Sequence, residues 1–230
     1  MRASDIMVKL QSPTAFASAF ALALGIAGMP AHADLIFTSG TGNSAISGFP
    51  GPYATVDVHW IDATHATVEF TSLTNSGNIY LMGDGGTVAV NVNAASWMIS
   101  FLTDTNGGTG FTPGPLSDAG AGNEDGFGSF NQTVNSFDGF THSADDVKIE
   151  LQNTSGTWAD ENSVLTGNSQ GQLAAEHIFV TSSPANASNG ALATGFASGG
   201  DVPPSVPEPG SLALLGTALV SLGLLRRKSS

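Results

Sequence analysis

Across residues 55–60 every second position is apolar: Val56, Val58 and Trp60 alternate with Thr55, Asp57 and His59. Asp62-Ala63 can turn the chain, after which Ala66, Val68 and Phe70 alternate with Thr67, Glu69 and Thr71. Successive side chains on a strand point to opposite faces, so two such runs joined by a few polar residues predict a β-hairpin. A two-residue turn at Asp62-Ala63 pairs His65 with Trp60 and His59 with Ala66, which sends the two histidines to opposite faces. Asn75-Ser76-Gly77-Asn78 before residues 79–82, and Asp84-Gly85-Gly86 before Val88, Val90 and Val92, read as turns followed by strands. Residues 96–102 form another apolar run. The cleanest alternation sets Val147, Ile149 and Leu151 against Lys148, Glu150 and Gln152.

Residues 173–181 leave two alternatives open. Leu173-Ala174-Ala175-Glu176 can begin a short helix, whereas His177-Ile178-Phe179-Val180-Thr181 favours a strand. With seven to nine strands punctuated by turns, the chain is expected to be all-β, an antiparallel β-sandwich or jelly roll. Residues 104–146 are dominated by Gly, Asn, Asp, Ser and Thr, with phenylalanines spaced through them. They read as a long loop docked by those phenylalanines, with Asp125-Gly126-Phe127 and Asp138-Gly139-Phe140 making turns. Small, polar residues 183–200 read as an edge strand merging into a linker. The expected organisation is a signal segment 1–33, an acidic β-sandwich 34–182, a Gly/Ser/Pro-rich linker 183–205 and a tail 206–230.

The two ends differ from the middle. Arg2 and Lys9 precede an apolar stretch over residues 15–29. Ala31-His32-Ala33 then offers the small-x-small pattern that signal peptidase accepts, so Ala31 and Ala33 mark the expected cleavage site and Asp34 the mature N-terminus. The C-terminal end runs Val206-Pro207-Glu208-Pro209, then an uncharged helix expected over 211–225, then Arg226-Arg227-Lys228. Its 14 uninterrupted apolar or small residues, 212–225, span about 21 Å as a helix, so flanking residues must help it cross a ~30 Å hydrocarbon core. The basic cluster anchors on the cytoplasmic side, which leaves the rest outside the inner membrane.

Val206-Pro207-Glu208-Pro209-Gly210-Ser211, the apolar helix and the basic cluster together resemble the PEP-CTERM sorting tail of Gram-negative bacteria. The resemblance covers about 25 of the 230 residues. It implies recognition by an exosortase-like membrane peptidase and delivery to the cell surface or an exopolysaccharide-rich matrix. Before processing, the tail would hold the chain in the inner membrane.

Charge narrows the partners. Residues 34–205 carry 17 acids against one lysine, a formal charge of −16, so nucleic acid is excluded as a partner of the core. Zero cysteine excludes disulfides, thiolate metal sites and thiol nucleophiles. The core is expected to be non-catalytic, with no obligate cofactor.

Calcium is the ligand that best suits carboxylates on glycine-punctuated loops. Asp104 with Asn106, Asn123 with Asp125, and Asp145 with Asp146 are the candidate ligands; no EF-hand or nonapeptide calcium repeat is present. Trp158, in a polar setting, is the candidate for stacking on a sugar ring, against core packing for Trp60, Trp97, Tyr53 and Tyr80. Gly167-Asn168-Ser169-Gln170-Gly171 matches a nucleophile elbow, yet no βαβ pattern surrounds it. A hydrolase would need two carboxylates across a cleft, for which Glu69, Glu150 and Glu176 are the strand-borne choices.

Overall fold

A computed structural model describes residues 33–200. In chain order the strands are β1 (Leu35–Ser39), β2 (Thr41–Gly42), β3 (Ala54–Trp60), β4 (His65–Ser72), β5 (Thr74–Asn75), β6 (Asn78–Met82) and β7 (Val88–Val90). They continue with β8 (Trp97–Asn106), β9 (Ser117–Glu124), β10 (Gly128–Asn135), β11 (Ala144–Asn153), β12 (Ala174–Ser182) and β13 (Ala193–Gly199). All strand pairings are antiparallel. One layer runs β1-β3-β4-β11-β8, and the other runs β2-β13-β12-β7-β10-β9. β6 joins them, pairing along β12 and touching β11 at Met82 and Ala144. The sheet does not close, and the architecture is an all-β sandwich.

Period-two patterning explains the core. Val56 and Val58 of β3, Val68 and Phe70 of β4, and Ile149 and Leu151 of β11 are completely buried, while the polar residues between them face outward. Opposite them lie Ile178 and Val180 of β12. Each such side chain contributes roughly 1.5–3 kcal/mol through burial. Tyr53 and Tyr80 meet edge-on, ring centroids 4.8 Å apart, and their hydroxyls donate to the carbonyls of Phe49 and Pro50.

One open alternative is settled and three expectations change. The ambiguous stretch around Leu173 is strand, because β12 finds partners on both edges. Within residues 104–146, β9 and β10 form a hairpin rather than a loop, with Asp125-Gly126 at its turn. Its phenylalanines do dock, since Phe111, Phe127 and Phe130 are buried, although Phe137 stays exposed. The region assigned to a linker from residue 183 contains β13, which pairs with seven residues of β12 and also with β2. The sandwich therefore continues to Gly199. Finally, the β3–β4 turn is longer than two residues: His59 pairs with Thr67 and Trp60 with Ala66. His59 and His65 consequently share a face, but each is held by its own aspartate, His59 by Asp34 at 2.6 Å and His65 by Asp62 at 3.1 Å.

Ala31, Val206, Pro207, Glu208, Pro209, Arg226, Arg227 and Lys228 lie outside the described residues, as do the expected terminal helices. Ala33 is described and exposed. Among the described residues no helix is long and apolar enough to cross a membrane.

Candidate functional site

The outer face of the first layer carries a charged row. Register aligns Asp57 of β3 with Glu69 of β4, Glu69 with Lys148 of β11, and Lys148 with Thr103 of β8. Lys148 Nζ donates to Glu69 Oε2 at 2.6 Å, holding the Glu69 carboxyl below the usual carboxylate range and the ammonium above its own. Asp34, Asp57, His59, Thr67, Glu69 and Lys148 line a cleft of about 260 Å³. Burial raises the Asp57 carboxyl, and the neighbouring Asp34 and Glu69 charges add to it. Its Oδ1 is buried without a hydrogen-bond partner. Beside the row, burial pushes Asp146 up to about 6, helped by its hydrogen bond to Glu69, while Thr71 and Thr103 donate to it. The arrangement is a row of carboxyls beside one ammonium, which pairs with Glu69.

A second carboxyl pair is sealed in the fold. Glu176 of β12 is completely buried; Oε2 accepts from Ser39 Oγ at 3.0 Å and Oε1 has no partner. Desolvation lifts its carboxyl to about 8. Glu124, at the end of β9, is also buried and is lifted to about 7 by the same cause. Gly86, at φ +67°, lets Glu124 approach, because a side chain there would strike its carboxylate. Next to Glu176 in sequence, His177 is sandwiched between Phe179 and Phe196 and bonded to Gly85 O and Thr194 Oγ1. Burial lowers its pKa, which favours the uncharged imidazole.

Pairing of β8 with β11 brings Asp104 and Asn106 beside Asp145 and Asp146, but their side chains diverge. Asp146 lies on the outer face with Thr103. Asp104, opposite the buried Val147, turns its Oδ2 inward against Gly114, where it is buried and unpaired. Asn106 bonds the backbone of Phe111 and Gly108, and Asp145 accepts from Thr105. Asn123 and Asp125 belong to the β9–β10 hairpin, where Asn43 donates to Asp125. Among the described residues no three His, Cys, Asp or Glu are grouped to hold a metal ion.

Trp158 is corrected outright. Only 2% of it is exposed, and its indole N–H donates to Asn93 O at 2.9 Å, so its ring packs the core and offers no face to a sugar. Ser169 is exposed in a turn, and both ring nitrogens of His177 are engaged elsewhere, with Gly85 O and Thr194 Oγ1. Sequence reasoning missed Asp57 and the cross-strand row. The signal available was Lys148, the one basic residue of the core, in register with an acid.

Comparison with a family model settles the far end of the chain: residues 205–228 match the PEP-CTERM protein-sorting motif. The chain carries a PEP-CTERM sorting signal. It is therefore an exported protein that crosses the membrane, is handled by an exosortase and is sent to the cell surface. The sandwich that precedes the PEP-CTERM motif matches no curated protein and no solved structure.

Proposed function

We propose that the acidic sandwich is a non-catalytic structural or adhesive module, displayed at the cell surface or in the extracellular matrix by its PEP-CTERM tail. Signal peptidase removes residues 1–33, and the apolar tail holds the chain in the inner membrane until exosortase acts. The observation that carries this reading is where the candidate acid–base groups sit. Glu69 is paired with Lys148, His59 and His65 are each tied to an aspartate, and the most perturbed carboxyl, Glu176, is sealed in the core. A net negative surface keeps such a module soluble and discourages non-specific association. The test compares cell-surface adhesion and matrix mass in strains with and without the gene, and incubates the mature protein with glycoside, ester and peptide substrates. Loss of adhesion with no turnover supports the proposal. Turnover abolished by Glu69→Gln or Asp57→Asn overturns it.

A second reading is carbohydrate binding from the exopolysaccharide in the Asp57–Glu69–Lys148 cleft. The cleft's own lining favours it, since carboxylates and an ammonium beside one another can hydrogen-bond the hydroxyls of a sugar. Binding of a neutral oligosaccharide that Asp57→Asn leaves unchanged would remove this reading.

A further inference from the structure

Two asparagines of the chain stand directly before a glycine, Asn106 and Asn189. Glycine has no side chain, so its backbone nitrogen is the least hindered to attack the side-chain amide of the asparagine before it. The fold treats the two dipeptides differently. At Asn106 both amide atoms are held: Nδ2 donates to Phe111 O at 2.9 Å, and Oδ1 accepts from Gly108 N at 2.9 Å. Gly107 is buried against Leu81 and the Ser143 carbonyl.

Asn189 is exposed and closes a single 3-10 turn, Ala187–Asn189, in the connection from β12 to β13. The side chain that caps this turn is that of Asn186, which accepts from Ser188 N. Among the described residues neither the Asn189 side chain nor the Gly190 N–H makes a hydrogen bond. Gly190 adopts φ +74°, and nothing lies within 4 Å of where its Cβ would stand.

We propose that Asn189-Gly190 is a self-modification site, where the fold leaves deamidation free to run while it restrains the same reaction at Asn106-Gly107. The Gly190 nitrogen gives up its proton to hydroxide and bonds to Asn189 Cγ. The bond from Cγ to Nδ2 breaks, and that nitrogen takes up a proton and leaves as ammonia. Water then opens the resulting succinimide ring at either carbonyl, which leaves an aspartyl residue or its isoaspartyl isomer at position 189. Water is the one co-reactant consumed, so the step needs no modifying enzyme. Its surroundings can absorb the change. Ala187 N donates to Thr109 O and Leu192 N to Val180 O, which anchors the loop on both sides of the site. The extra backbone carbon of an isoaspartyl link falls between these anchors, outside the ladder of β12 and β13. Each conversion adds one negative charge to a core whose formal charge is −16.

The test incubates the full chain, folded and in concentrated urea, at mildly alkaline pH and maps its peptides by mass. In the folded chain Asn189 is expected to convert about tenfold faster than Asn106, whose two hydrogen bonds must open first. In urea the two sites are expected to convert at rates within about twofold of each other, because that local protection is gone. Equal rates in the folded chain, or Asn106 ahead, overturn the proposal. A gap that persists in urea also overturns it, since local sequence and not the fold would then set the difference. Asn189→Gln is expected to abolish the more acidic species that accumulates on isoelectric focusing. Its survival in that variant contradicts the assignment.

Discussion

Glu176→Gln isolates the sealed carboxyl. In the folded chain Glu176 titrates near 8 rather than at its ordinary 4.5, so between those values the folded state holds a proton that the unfolded state has released. Stability linked to this group is thus complete below about pH 4.5, falls as pH rises towards 8, and then levels off. Each pH unit between the two values costs about 1.4 kcal/mol. From pH 5 to pH 8 the wild type loses about 3–4 kcal/mol through Glu176 alone. Glu124, lifted to about 7, adds a loss of the same sign in wild type and variant alike. Glutamine keeps the acceptor for Ser39 and carries no charge at any pH. Thermal unfolding of both proteins at pH 5 and pH 8 is the assay, kept above pH 5 because Asp62 and Glu69, both lowered, lose their contribution in acid. The variant is expected to match wild type within a few degrees at pH 5 and to exceed it at pH 8 by roughly 10 °C. Parallel pH profiles would refute the sealed-carboxyl argument.

Other outcomes follow from the same contacts. Trp158→Ala is expected to cost about 3–5 kcal/mol in urea unfolding, as truncation of a buried aromatic does, and a loss below about 1 kcal/mol would return the ring to the surface. Lys148→Met leaves Glu69 without its cation; a loss of about 1 kcal/mol that shrinks in high salt is expected for this partly exposed pair, and a salt-independent loss would assign the effect to packing instead. Millimolar calcium is expected to leave the unfolding midpoint unchanged within about 1 °C, because the loop carboxylates diverge. A rise that Asp104→Asn or Asp145→Asn abolishes would show that they converge on binding.

Much of the sandwich was legible because β3, β4 and β11 each bury one face and wet the other, which writes period two into the sequence. β9 was not legible. Its SDAGAGNE has no apolar side, since an edge strand exposed on both faces is held by its backbone pairing with β10. β13 was hidden for a different reason: Gly195 and Gly199 stand where neighbouring backbone and side chains leave no room for a Cβ, so space rather than hydropathy selects them. Alternation along β4 and β11 correctly put Glu69 and Lys148 outside, yet it cannot say which outward residues meet across strands. The Asp57–Glu69–Lys148 row therefore emerged only with the register. Trp158 misled because its polar neighbours in sequence are turn residues, while its ring reaches past them to Asn93. The sorting tail was the most legible feature, because a short motif, an apolar run and basic residues in fixed order need no tertiary context.

The most direct test of the account is the intact mass of the protein recovered from the surface of cells that make it. Export and exosortase handling through the 205–228 motif predict a chain that begins at Asp34 and lacks Arg226-Arg227-Lys228, with Glu208→Gln blocking the C-terminal loss. A surface protein that keeps Arg226 and everything after it, or processing that ignores Glu208, would contradict it.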